Sequence, residues 1–286
     1  MNPASHPDLA QRRQRLDGVL EWIRKHFPFP GYVGVMRPHR LLAETTFAHL
    51  PAGRILDFGA GACDKTAVLA LSGYEVHACD DLSDAWHLEQ DNRAKILAFA
   101  QQAGIKFTLL QSGLALPYHP GQFDMAVSID VLEHLHDSPR DLLCNLLEWL
   151  KPGGLLLLAV PNAANLRKRL ALLVGSTNYP PYAQYFWYPG AWRGHVREYV
   201  IEDLRALSRF LQVDTVLLRD VHMLMDRALP NRLARSAYLA FASLVPVRGL
   251  RDGLLLLARK PEGWNRQRVQ AARRVPDECT WGAASR

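Results

Sequence analysis

Apolar and polar positions change their period several times along this chain, and the changes divide it into elements. Between residues 8 and 26, Leu9, Leu16, Val19, Leu20 and Ile23 recur among Arg, Lys and Gln, which predicts an amphipathic helix. Phe27-Pro28-Phe29-Pro30-Gly31 breaks it, and a second helical run from Arg37 to His49 leads to the Pro51-Ala52-Gly53 turn. Short apolar runs then alternate with helical ones. Strands are predicted over 54–58, 75–79, 106–111, 123–129 and 155–160, with helices over 64–72, 84–103 and 137–150. This alternation predicts an α/β fold with a parallel, doubly wound sheet, on which ligands sit beyond the carboxyl ends of the strands. Gly59, Asp80, Ser112 and Asp130 all fall there.

Between Pro161 and Trp192 the pattern dissolves. Asn162 to Val174 can form a helix, but Gly175 to Gly190 is rich in proline and aromatics and reads as a structured loop, expected to act as an acceptor lid over about 163–195. A helix over 202–211 and strands over 213–219 and 254–259 would complete the sheet. The apolar face of Leu229 to Val245, with Arg232 and Arg235 near it, is expected either to cover the sheet or to rest on a membrane surface or amphiphilic acceptor. The division is therefore a helical cap over 1–50, one domain over 51–260 and a basic tail over 261–286, without periodicity and expected to be disordered.

The chemistry starts at Arg54 to Gly61, RILDFGAG. A buried strand turns tightly through Asp57-Phe58-Gly59-Ala60-Gly61 into a helix, whose opening N–H groups suit a carboxylate or phosphate. Glycine at 59 and 61 lets a ligand approach the backbone. A second strand ends in Asp80 about twenty residues on, where a ribose hydroxyl pair needs an acceptor, so the unit reads as a βαβ nucleoside site.

Charge alters this picture little. The formal net charge of +6 is concentrated in Arg259 to Arg286, where seven Lys/Arg stand against three Asp/Glu, so the body does not describe a nucleic-acid-binding face. Cys63, Cys79, Cys144 and Cys279 have neither metal spacing nor a disulfide pattern, which suits a reducing cytoplasm. No signal segment or membrane-spanning run is read, so the chain is expected in the cytoplasm, with membrane association left open through Leu229 to Val245.

At this point the residues resemble the class I S-adenosylmethionine-dependent methyltransferases, in the branch of the ubiquinone-biosynthesis O-methyltransferases. The matching pieces are ILDFGAG at 55–61, EVHACD at 75–80, LPY at 116–118, FDMAVSIDVLEHLHD at 123–137, LKPGGLLLLAVPN at 150–162 and GHVREYVIEDL at 194–204. The resemblance implies a Rossmann-like seven-stranded sheet with strand 254–259 inserted antiparallel. It places S-adenosylmethionine over Gly59 to Gly61 with Asp57 supporting the loop, Asp80 on the ribose, and Ser112 and Asp130 also at the cofactor. Cys63 stands where the family often has a third glycine, and Ser112 where it often has an acid for the adenine amino group.

Asp130-Val-Leu-Glu133-His134 is the candidate catalytic constellation. The resemblance makes Asp130, Glu133, His134 and His195 a Mg²⁺ or Mn²⁺ shell. The alternative is a capping box, Asp130 as N-cap with Glu133 at N3, which leaves His134 as general base and His195 as an acceptor-site residue. The expected reaction is O-methylation of a hydroxyl on a sugar, glycan or lipid-linked intermediate, or on a small phenolic or isoprenoid molecule. Two other classes share parts of the pattern. A nicotinamide dehydrogenase would need glycine where Asp64 stands. A catalytically degenerate scaffold that binds a partner or regulatory ligand is suggested by Cys63 and Ser112.

Overall fold

The computed structural model describes residues 9–111, 116–176, 179–223, 232–244 and 249–271. Its centre is a seven-stranded sheet in the order β3-β2-β1-β4-β5-β7-β6. The strands are β1 (Arg54–Phe58), β2 (Glu75–Asp80), β3 (Lys106–Leu109), β4 (Phe123–Ile129), β5 (Leu150–Pro161), β6 (Asp214–Val221) and β7 (Gly253–Arg259). The first five are mutually parallel, and β7 runs antiparallel between β5 and β6. The expected seven-stranded sheet with its antiparallel last strand is therefore present.

Helices cover both faces because the central strands are apolar on both sides. In β5, Leu155, Leu157 and Ala159 join one core while Leu156, Leu158 and Val160 join the other. The first core receives α1 (Leu9–His26), α2 (Arg37–His49), α3 (Asp64–Leu71) and α5 (Asn92–Gln102) through residues such as Leu16, Ile23, Phe47, Val68 and Phe99. The second receives α6 (Arg140–Trp149) and α9 (Ile201–Leu211) through Leu143, Leu147, Leu204 and Leu207. The N-terminal cap thus shares the sheet's own core. The other helices up to α9 are α4 (Ala85–Leu88), α7 (Leu166–Leu173) and α8 (Tyr182–Phe186).

Two expectations are corrected here. The run 84–103 is two helices, parted at Gln90, which takes a positive φ of 46°. Nor is 261–271 a disordered tail. Arg266–Ala271 is a helix with Val269 buried, Trp264 Nε1 donates to the Leu211 carbonyl at 2.8 Å, and Arg266 bonds Asn145 and Glu148 of α6. Residues 272–286 lie outside the described residues.

Candidate functional site

At the carboxyl ends of β1, β2 and β4 lies a cleft of about 510 Å³, lined by Gly59, Gly61, Lys65, Asp80, Asp130 and His134 among others. Gly59 takes φ 75°, and a Cβ there would come within 2.3 Å of Val131 Cγ2, so glycine lets the loop after β1 cross the loop after β4. Gly61 takes φ 50°, and nothing would meet its Cβ within 4 Å; its bare backbone faces open cleft. Cys63 completes the turn at φ 62° without glycine's freedom, a cost of about 1 to 2 kcal/mol.

Asp80 closes this turn from β2. Its Oδ2 accepts the Gly61 N–H and its Oδ1 the Leu82 N–H, each at 2.8 Å, leaving further lone pairs directed at the cleft it lines. An open volume over a glycine backbone, beside a carboxylate with acceptor capacity to spare, fits the ribose and methionine parts of S-adenosylmethionine. Asp57 lies beneath, buried, and accepts from Thr66 Oγ1 at 2.5 Å. Ser112 lies outside the described residues.

Burial pushes Asp57 up to about 6, against the Thr66 hydrogen bond and the Lys65 charge that pull it down. The folded protein therefore keeps a proton that the unfolded chain releases between about pH 4 and pH 6, and Asp57's contribution to stability falls as pH rises through that window. Asp57→Asn removes this titration. Its stability relative to the parent is expected to improve by roughly 2 to 3 kcal/mol between pH 4 and pH 7 in denaturant unfolding. A difference between the two proteins that stays constant with pH would refute the assignment.

Two long-range pairs tie the walls together, and neither was visible in the sequence. Lys65 Nζ of α3 reaches Asp130 Oδ2 at 3.2 Å, across from β1 to the end of β4. Against the burial that would lower it, the Asp130 and Asp64 charges hold the Lys65 ammonium above its ordinary range. Arg193 bonds Asp84 and lies 3.6 Å from Asp81, joining the segment after α8 to the loop after β2. Of the expected acceptor lid, Trp192 and Arg193 line the cleft, whereas the rings of Tyr182, Tyr185, Phe186 and Trp187 are exposed.

The Asp-Val-Leu-Glu-His segment departs from the capping box. Its 3₁₀ turn Leu132–His134 is preceded by Val131 at the N-cap with no side-chain cap bond, and Asp130 is turned to Lys65. Glu133 is fully buried, and among the described residues its carboxylate has no hydrogen-bond partner. Burial first, then the nearby Asp130 charge, pushes it up to about 8, so it holds a proton at neutral pH. The Glu133 carbonyl accepts from Val196 N–H at 2.6 Å and Arg197 N–H at 3.2 Å, which pins the 194–199 segment against the turn.

That clamp sets the histidines. His134 Nδ1 lies 2.8 Å from the Arg193 carbonyl, which can only accept, so Nδ1 carries the proton and Nε2 keeps its lone pair. His195 Nδ1 lies 2.8 Å from Glu198 Oε1, and Glu198 in turn bonds Lys168. The two rings meet edge to face at 5.0 Å, and each Nε2 lies 4.0 Å from Glu133 Oε1. Glu133, His134 and His195 thus bring candidate ligand atoms within 4.8 Å of one another, and Asp130 does not join them. His134 lines the cleft, and His195 does not.

A model of a methyltransferase-domain family matches residues 35–212. Among curated proteins, the ubiquinone biosynthesis O-methyltransferase of Rickettsia canadensis is 28% identical over 159 residues, covering 54% of this chain and 62% of that protein. Its counterpart in Rickettsia prowazekii is 30% identical over 122 residues, covering 43% of this chain and 44% of that protein. The chain thus spans about half the length of the curated relatives it matches. In solved structures, Burkholderia thailandensis 1,6-didemethyltoxoflavin-N1-methyltransferase, with S-adenosylhomocysteine bound, superposes with a TM-score of 0.50 at 19% identity, covering 91% of this chain and 93% of that one. An S-adenosylmethionine-dependent methyltransferase from Thermotoga maritima gives 0.50 at 16% identity over 84% and 99%. At these identities the structural likeness establishes the fold.

Proposed function

Because the chain belongs to the methyltransferase-domain family, we propose that it transfers a methyl group to a hydroxyl oxygen of its acceptor, with His134 as general base. The observation that carries this is the His134 ring, which lines the cleft and is held through Nδ1 by the Arg193 carbonyl, so that Nε2 is its basic atom. Bound S-adenosylmethionine would supply an electrophilic methyl carbon and keep the electron pair of the breaking carbon–sulfur bond, leaving as S-adenosylhomocysteine; the remaining tasks fall to the protein. Asp80 would accept from the ribose hydroxyls, and the Gly59 to Gly61 backbone would hold the methionine part. Holding acceptor oxygen and methyl carbon in line supplies up to about 7 to 11 kcal/mol. His134 takes the hydroxyl proton as the oxygen attacks.

The names of the Rickettsia relatives support oxygen as the acceptor atom and a phenolic or isoprenoid acceptor over a sugar or glycan. A screen with methyl-labelled S-adenosylmethionine against phenolic, sugar and amine acceptors tests this. Label on a hydroxyl oxygen is the expected result; label on nitrogen alone would overturn the oxygen assignment.

A second reading is favoured by the unpartnered Glu133 carboxylate. With the Nε2 atoms of His134 and His195 it offers one oxygen and two imidazole nitrogens, a set that suits Mn²⁺ better than Mg²⁺, whose shells are oxygen-rich. Such an ion would lower the acceptor hydroxyl's pKa in place of a base. Loss of transfer on chelation, restored by Mn²⁺, would favour this reading over His134 as base.

A further inference from the structure

Trp192 and Arg193 line the cleft and are held from both of its sides. On the β4 side, two histidines hold their consecutive carbonyls. His134 Nδ1 lies 2.8 Å from the Arg193 oxygen, and His136 Nε2 lies 2.7 Å from that of Trp192. Carbonyl oxygens only accept, so both ring nitrogens donate. The strap folds tightly here because residue 194 is glycine: a Cβ there would run into the Trp192 ring, whose Nε1 donates to the His195 carbonyl at 3.3 Å.

On the β2 side the tie is the Arg193 guanidinium. Its Nε donates to Asp84 Oδ1 and its Nη2 lies 3.6 Å from Asp81 Oδ2, so one planar fork reaches two carboxylates of the same loop. Asp84 stands at the N-cap of α4 yet makes no side-chain cap bond there; its carboxylate turns to Arg193 instead. The loop that presents these acids is stiff. Asp80 accepts the Leu82 N–H, Asp81 accepts the Ser83 N–H at 3.0 Å, and Leu82 is fully buried at a φ of 45°. Arg193 is thus anchored on one side of the cleft while its own carbonyl orients an imidazole on the other.

We infer that Arg193 is a positioning residue, which through Asp84 and Asp81 sets the carbonyl that orients the His134 ring. The consequence for rate rests on His134 as the general base proposed above; the consequence for the ring does not. The side chains of Arg193 and Asp84 are 44% and 52% exposed, and an exposed ion pair contributes little to global stability. Breaking it should leave the thermal melt unchanged and show in alignment, where a displacement of about 1 Å can cost 10²-fold in rate.

Histidine-selective ¹⁵N NMR of the full chain, without cofactor or acceptor, reads the tautomer directly at about pH 8.5, where an ordinary imidazole is neutral. The His134 signals are those missing from His134→Gln. The parent is expected to carry the His134 proton on Nδ1. Arg193→Ala should shift it towards the Nε2–H form, Asp84→Asn should do so less, and the double variant should go no further than Arg193→Ala. Arg193→Lys, a point charge that meets one acid at a time, should fall between parent and alanine. With the acceptor that the methyl-label screen identifies, Arg193→Ala should lower kcat roughly tenfold to a hundredfold and leave cofactor affinity within about threefold of the parent. A His134 tautomer unchanged in Arg193→Ala overturns the assignment, whatever happens to the rate. A shifted tautomer with unchanged kcat upholds Arg193 as the residue that sets the ring and removes His134 as the base.

Discussion

Replacing His134 with alanine is expected to lower kcat by roughly 10²- to 10⁴-fold, the range a positioned general base supplies. Affinity for S-adenosylmethionine should change by less than about threefold, because the proposed cofactor contacts lie on Gly59 to Gly61 and Asp80. The reason for a large effect is orientation as well as basicity. The Arg193 carbonyl at 2.8 Å leaves Nε2 as the only basic atom of the ring, and the ring already lines the cleft. A variant with parent-like kcat would remove His134 from the chemistry. Repeating the assay with a chelator separates the two readings, since a base acting alone is indifferent to it.

The second large effect concerns binding. Asp80→Ala should weaken S-adenosylmethionine and S-adenosylhomocysteine alike by roughly 30- to 1,000-fold in calorimetric titration, the equivalent of about 2 to 4 kcal/mol. Two losses combine: the ribose loses its acceptor, and the Gly61 and Leu82 N–H groups lose the carboxylate that holds the turn. Asp80→Asn keeps an acceptor oxygen and should fall between. A change below about threefold for Asp80→Ala would mean that the nucleoside does not sit over this strand end. NAD, as a control, should bind neither protein.

What could be read in advance was whatever depends on neighbours in sequence. The glycine turn, the strand ends and Asp80 follow from local backbone demands and from one βαβ spacing, and the sheet follows from apolar runs long enough to be buried on both faces. The rest depends on partners far along the chain. Lys65 reads as an ordinary helix residue, and only folding sets it against Asp130, 65 positions away. Asp84 falls at the start of the predicted helix 84–103, but its carboxylate serves Arg193, 109 positions on. Glu133 was legible as a possible cap because such a motif is local, while the backbone bonds that Val196 and Arg197 make to its carbonyl come from a segment more than 60 positions on. The break at Gln90 carries no glycine or proline, so helical spacing ran through it.

The helix Arg266–Ala271 has a practical consequence. A truncation at Pro261, where composition shifts from folded to basic and polar, would leave the Leu211 carbonyl without its indole donor and would uncover the apolar site that Val269 fills. It would also strip α6 of Arg266, whose guanidinium joins Asn145 and Glu148. The folded body extends at least to Ala271, so fusion joints and engineered protease sites belong beyond that residue.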